Sequence, residues 1–261
     1  MTKNNDKKTI CSCDIPLAEY DPSPRAVIEP SHEDLGFHLP EKAIFAFVGD
    51  KTDEFAAVHG MAKTAEFESI TKKYPIYVSR NGSFVLCEAP VGAPAATQIL
   101  DWLISYGVKT VISTGSCGVL EDIPENSFLI PSEALRDEGT SYHYLPPSRF
   151  VETDAGLRRI IETVFSEKAL PYVECRTWTT DGFFRETEAK VRARREEDGC
   201  ACVEMECAAL ASCAKFRGAR FAMILFTADS LAYADEYAER GWGKEALGAA
   251  IELCREVIER I

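Results

Sequence analysis

No apolar run in this 261-residue chain approaches the ~20 residues that a membrane-crossing helix needs. Residues 1–10 are polar and lysine-bearing, with no apolar signal core behind them, so the sequence predicts a cytoplasmic protein. A basic excess is also missing: 29 Lys and Arg stand against 42 Asp and Glu, a formal net charge of -13. A chain this acidic repels polyanions, which argues against nucleic acid and anionic membranes as partners. Any anionic substrate must then be captured by a local cluster of donors. No second Cys/His pair at zinc spacing follows the C-x-C of Cys11 and Cys13, so no metal site is expected. There is no internal repeat and no linker that would split the chain.

What is present is a core-forming composition, 46% hydrophobic. Cys87, Cys117, Cys202, Cys207, Cys213 and Cys254 sit inside apolar runs and read as small buried hydrophobes. Residues 1–40 are irregular, broken by Pro16, Pro22, Pro24, Pro30 and Pro40. Residues 41–261 read as one α/β domain around a largely parallel or mixed sheet. Continuous apolar runs predict buried strands over 43–48, 84–89, 108–113 and 221–226, with further strands beginning at 128 and over 171–178. Helical spacing runs through Ile99, Leu100, Leu103 and Ile104 to a stop at Gly107, and again over 157–165, 205–216 and 245–261.

Ligands of open α/β folds gather at the carboxyl ends of strands. Five polar clusters fall at such ends: Gly49-Asp50, Thr114-Gly115-Ser116, Thr180-Asp181-Gly182-Phe183, Val203-Glu204-Met205-Glu206 and Ala228-Asp229-Ser230. The two carboxylates flanking Met205 suit either a sugar diol, whose two hydroxyls they accept, or the first turn of the helix that follows. Asp229 ends a very apolar strand, where burial raises a carboxyl pKa and suits it to proton donation; the alternative is a turn cap. The segment from Gly115 to Gly118 reads as a turn able to offer backbone N–H groups and the Ser116 hydroxyl to an anion. Phe183 and Phe184 suit stacking on a flat heterocycle or plain core packing.

Taken together, these motifs resemble the nucleoside phosphorylase superfamily, of purine nucleoside phosphorylase, uridine phosphorylase and methylthioadenosine nucleosidase type, over roughly residues 41–260. Val203-Glu204-Met205-Glu206-Cys207-Ala208-Ala209-Leu210 is similar to the family's V-E-M-E-x-A signature. Thr114-Gly115-Ser116-Cys117-Gly118 resembles its G-S-C-G turn, Gly49-Asp50 the start of its G-D-P-x-R loop, and Asp229 the aspartate of its S-D pair. Residues 137–144 resemble a segment of several phosphorylase branches.

The resemblance implies a three-layer phosphorylase/hydrolase-like fold, a central mixed sheet flanked by helices. It implies cleavage of an N-glycosidic bond by phosphate, giving free base and ribose 1-phosphate, with a purine favoured by Asp229. Glu206 would hold the ribose hydroxyls, with Glu204 and Met205 shaping that pocket. Phe183 would pack on the base and Asp229 would protonate or hydrogen-bond it. Ser116 and the Gly115 turn would contact phosphate or the nucleophile, with Gly49 and Thr114 also among the substrate-binding residues. No cofactor is implied beyond phosphate as co-substrate. A homo-oligomer is implied, a dimer or a trimer of dimers, with His32, His38 or residues 142–144 as candidates to complete a neighbour's site.

Two departures bear on the acceptor. Asp53 and Ser113 hold the positions of the family's two phosphate arginines, leaving Lys51, Arg136 or Arg185 as substitutes. Water as nucleophile, as in a nucleosidase, and a non-catalytic nucleoside-binding protein are the alternatives.

Overall fold

The computed structural model describes residues 13–233 and 237–261; Cys11 of the C-x-C lies outside them. Between residues 13 and 40 there is one 3-10 turn, Pro16–Ala18. This segment is tied to the rest by Leu39, whose N–H donates to the Tyr106 carbonyl at 2.7 Å, and by Phe37 stacked on Tyr106.

The strands in chain order are β1 (Lys42–Ala46), β2 (Ala62–Glu68), β3 (Lys73–Val78), β4 (Val85–Glu88), β5 (Thr110–Val119), β6 (Phe128–Asp137), β7 (Phe150–Glu152), β8 (Tyr172–Thr180), β9 (Cys200–Glu204) and β10 (Arg220–Ser230). The helices are α1 (Lys51–Val58), α2 (Ala93–Ser105), α3 (Ala155–Glu167), α4 (Glu188–Glu196), α5 (Cys207–Arg217) and α6 (Leu247–Ile258).

All the strands join one mixed sheet in the order β10-β6-β8-β9-β5-β1-β4-β3-β2, with β7 alongside β6. The path also closes on itself, because β10 pairs with β5 as well as with β6. Five strands therefore form a ring, and β1, β4, β3 and β2 extend from it as an open wing.

The apolar runs explain the layers. One face is covered by α2 and α5, whose Ala96, Ile99, Leu103, Ala208 and Ala211 pack against strand residues such as Phe45, Val111 and Met223. The other face is covered by α1, α3 and α6, through Phe55, Leu157, Ile161, Ile251 and Val257. Leucine, alanine and β-branched residues on both faces of β1, β5 and β10 are what a sheet buried on two sides requires. The six cysteines of the apolar runs are buried and unpaired by disulfides. Among the described residues, no helix is long and apolar enough to cross a membrane.

Several elements are longer or shorter than the sequence pattern suggested. The strand expected over 108–113 runs on to Val119, so Thr114 to Gly118 are strand and not a turn. Leu225, Phe226 and Thr227 of β10 lie opposite Gly115, Ser116 and Cys117, and this ladder keeps the segment extended despite two glycines. Likewise β10 continues to Ser230, which places Asp229 within a strand rather than after it. The helix expected from Met205 begins at Cys207, with Glu206 at its N-cap, and ends as expected at Gly218 in the left-handed conformation (φ 73°).

Candidate active site

The far end of β5 is where the site is assembled. Gly118 and Val119 pair antiparallel with Val203 and Cys202 of β9 on one flank, and Ser230 of β10 lies opposite Val119 on the other. Gly118 has no side chain for a steric reason. A Cβ there would meet Leu231 Cδ1 at 2.8 Å, Asp229 Oδ1 at 3.0 Å and Val203 Cγ1 at 3.2 Å. The glycine thus lets the Asp229 carboxyl and the strand leading to Glu204 approach one another.

Glu204 is buried and its oxygens are fully occupied. Oε1 accepts from Thr179 Oγ1 at 2.6 Å and Thr177 Oγ1 at 3.2 Å; Oε2 accepts from the N–H groups of Cys207 at 2.6 Å and Glu206 at 2.7 Å. Burial nevertheless pushes its pKa up to about 7. Glu204 locks the turn that starts α5, and Met205, half-buried, lies in that turn. The two threonines that hold Glu204 were not singled out in the sequence, although their alternation along β8 puts both on one face.

Glu206 is 6% exposed. Its Oε1 accepts the N–H of Gly92 at 2.5 Å. Gly92 has φ 101°, which an L side chain rarely adopts, so glycine is needed to aim that N–H. Burial, then the neighbouring Glu204 charge, pushes the Glu206 pKa up to about 8. Asp181 adds to this from the end of β8, where it also accepts the N–H of Gly139 at 2.8 Å.

Two residues beyond Asp181, Phe183 opens a cavity of about 400 Å³. Phe183, Phe184, Tyr237 and Trp242 supply aromatic walls; Asp229 and Glu186 supply carboxyls. Asp229 is 5% exposed, and burial raises its pKa while a hydrogen bond from the Tyr237 hydroxyl opposes the shift. Burial and then the Asp229 charge push Glu186 up to about 7. Sequence inspection passed over Glu186 because nothing in the run Phe184-Arg185-Glu186-Thr187 marks it as buried. Glu206 does not line this cavity. The two regions are joined through the end of β8, which carries Asp181 beside Glu206 and Phe183 at the cavity.

The strand ends expected to meet phosphate are arranged less simply. Gly49 is exposed with φ 56° and leads into α1. Thr114 and Gly115 are buried within β5, where Phe47 N–H donates to the Thr114 carbonyl at 2.8 Å, and of the three only Ser116 is exposed. Their backbone is committed to the sheet and makes no anion-binding turn. Ser113 donates to the Phe45 carbonyl at 2.7 Å, and Asp53 accepts from Tyr77 Oη at 2.8 Å. Lys51 pairs with Glu54. Arg136 is buried and donates to Ser141 Oγ, Ser148 Oγ and the carbonyls of Leu145 and Pro146. It therefore shapes the segment after β6 and is not free for phosphate. Arg185 is exposed at the end of the 3-10 turn Phe183–Arg185.

The profile of the phosphorylase superfamily matches residues 43–261, which span the sheet, Glu206 and Asp229. The chain belongs to the phosphorylase superfamily. Within the superfamily it is similar to a uridine phosphorylase of Treponema pallidum, 33% identical over 112 residues, which cover 38% of this chain and 43% of that protein. It is also similar to a guanosine phosphorylase of Halorubrum lacusprofundi, 26% identical over 85 residues, or 32% of this chain and 33% of the relative. The chain thus spans less than half the length of these curated relatives. In fold it is similar to uridine phosphorylase of Vibrio fischeri, with a TM-score of 0.74 and 19% identity over 90% of this chain and 95% of that one. AMP nucleosidase of Bacteroides thetaiotaomicron gives a TM-score of 0.68 and 22% identity over 85% of this chain and 91% of its own. Phosphorylases occur among the relatives, a nucleosidase occurs among the proteins of like fold, and the substrates in their names differ.

Proposed function

We propose that this superfamily member is a cytoplasmic enzyme that cleaves the N-glycosidic bond of a purine nucleoside and transfers the ribosyl group to phosphate. The observation that carries the reading is the shared cavity of Phe183 and Asp229, a flat apolar wall beside a carboxyl that burial keeps protonated into a higher pH range.

The base stacks on Phe183. Asp229 passes its proton to a ring nitrogen as the C1′–N bond breaks, so that the bonding pair leaves on a neutral base. Such general acid catalysis contributes on the order of 10²–10⁴ in rate. The sugar left behind is an oxocarbenium-like cation. Glu206 accepts the ribose hydroxyls, and its ionised fraction, which grows as pH rises toward about 8, stabilises the growing positive charge. Glu204 and Met205 hold the turn that carries Glu206. A phosphate oxygen, held near the exposed Gly49 and the Ser116 hydroxyl, with Thr114 and Gly115 of β5 as the sheet that supports them, then attacks C1′ and gives ribose 1-phosphate. No cofactor enters this scheme, and assembly as a homo-oligomer is part of the proposal.

A second reading replaces phosphate with water. It is favoured by the occupied cations: Arg136 is held by four acceptors, and Ser113 and Asp53 stand at the two arginine positions. One experiment separates the readings. Base release from adenosine, inosine and uridine is followed with and without phosphate, and the sugar product is identified. Release that requires phosphate and yields ribose 1-phosphate supports the phosphorylase. Undiminished release of free ribose in phosphate-free buffer replaces it with the nucleosidase. Tight nucleoside binding with no turnover in either buffer overturns both in favour of a binding protein.

A further inference from the structure

Glu186 enters the cavity of Asp229 from a different part of the chain. It follows the 3-10 turn Phe183–Arg185, and its N–H closes that turn on the Phe183 carbonyl at 3.4 Å. The next residue, Thr187, caps α4 by accepting the Lys190 N–H, also at 3.4 Å. The backbone of Glu186 is therefore pinned on both sides. Among the described residues no donor bonds its carboxyl; burial and the Asp229 charge act against its ionisation, and only Lys190 acts for it. A half-buried carboxyl with no hydrogen-bond partner among the described residues, lining an aromatic cavity together with a second carboxyl, is placed to meet a ligand.

We propose that Glu186 is a base-reading residue: together with Asp229 it selects an aminopurine, whose edge sets an amino donor beside a ring-nitrogen acceptor, over a 6-oxopurine, whose corresponding edge sets two acceptors side by side. This rests on the purine nucleoside reading above.

The physical reason is charge repulsion. Two carboxyls in one poorly solvated cavity do not both ionise easily, so the pair retains one proton into the neutral range. Among the described residues the groups that act on them can be named. Lys190 acts on Glu186; the Tyr237 hydroxyl and Arg240 act on Asp229; Glu188 also lines the cavity. A pair that shares one proton offers one O–H donor and one carboxylate acceptor. The N7 and 6-amino groups of an aminopurine complement it. With a 6-oxopurine the ionised carboxylate would face a carbonyl oxygen, leaving two buried acceptors opposed. A mismatch of that kind changes affinity by about 10- to 100-fold.

The test begins on the unmodified protein, with adenine and hypoxanthine, each carrying a 9-methyl group that fixes N7 as an acceptor as ribose does, titrated separately in a calorimeter. Adenine binding at least about 10-fold tighter is expected; equal affinities overturn the proposal. The same measurement on Glu186→Gln and Glu186→Ala, each checked for folding by thermal melting, assigns the preference to this side chain. The adenine-to-hypoxanthine ratio is expected to fall toward one in both. A ratio that stays at the wild-type value in either folded variant sinks the role of Glu186, since a merely structural residue would alter both affinities together. Where nucleosides turn over, the adenosine-to-inosine ratio of kcat/KM follows the same pattern. A protein that turns over no nucleoside refutes the catalytic reading alone, and the free-base titration still decides the inference about Glu186.

Discussion

Glu206 Oε1 and the backbone N–H of Gly92 meet at 2.5 Å, joining the turn before α5 to the turn before α2. A Cβ at Gly92 would meet nothing within 4 Å, so only its φ of 101° opposes substitution. Gly92→Ala therefore isolates the backbone effect. Strain of about 1–3 kcal/mol is expected, which lowers Tm by roughly 2–10 °C in a domain of this size. With Glu206 released, kcat/KM for a nucleoside should fall by at least 10-fold. An unchanged kcat/KM in the strained variant would mean that this hydrogen bond does not organise the site.

The raised carboxyls make stability depend on pH in a definite direction. Glu204 and Glu206 are pushed up to about 7 and about 8, from 4.5. The folded state holds their protons more tightly than the unfolded chain does. Their contribution is fully present below about pH 4.5 and is lost as pH rises through 7 and 8. Glu206→Gln keeps an acceptor for Gly92 and removes the titration. Its Tm relative to wild type should climb between pH 5 and pH 8.5; a difference that is flat across that range contradicts the assignment.

Asp229→Asn removes the proton donor while preserving shape. With a natural nucleoside, kcat should drop by about 10²–10⁴. A p-nitrophenyl riboside, whose leaving group departs without protonation, should be cleaved nearly as before. Equal losses on both substrates would assign Asp229 to the scaffold.

At Gly118, alanine would force its Cβ to within 3.0 Å of Asp229 Oδ1 and 2.8 Å of Leu231 Cδ1. Gly118→Ala should cost about 1–3 kcal/mol in overpacking and reproduce much of the Asp229→Asn defect, because the carboxyl must move. A fully active variant would show that the position of Asp229 is not critical.

Phe183 is 43% exposed and presents its ring to the cavity as a stacking surface. Phe183→Ala should raise KM by roughly 2- to 10-fold with little change in kcat. A fall in kcat alone would remove it from base binding.

The parts of the fold that the sequence revealed are those with unmixed patterns. The apolar runs of β1 and β10 and the periodicity of α2 and α6 are visible because both faces of the sheet are buried. The β2–β3 hairpin was hidden by Lys63, Glu66 and Lys73, which give it a charged surface, and by Pro75 within β3. β9 was hidden because its five residues run straight into the acidic pair, which drew attention to α5 instead. Gly115 and Gly118 suggested a turn; their real reasons are close approaches, by Phe47 to the first and by Asp229 to the second. Asp229 and Phe183 do share a cavity, while Glu206 does not line it and is bonded to Gly92. Glu186 lay beyond sequence reasoning altogether, since its burial depends on β10 reaching the same place from more than forty residues away.

The pairing of β10 with β5 has a consequence for how the molecule meets its own copies. A sheet wound into a ring keeps its long open border at one end, here along β2, with the three-residue β7 as the other free edge. That border carries Lys63, Glu66 and Glu68, charges that discourage another strand from adding to it. The same closure that sets Asp229 beside Gly118 therefore also guards a largely apolar sheet against propagating from molecule to molecule.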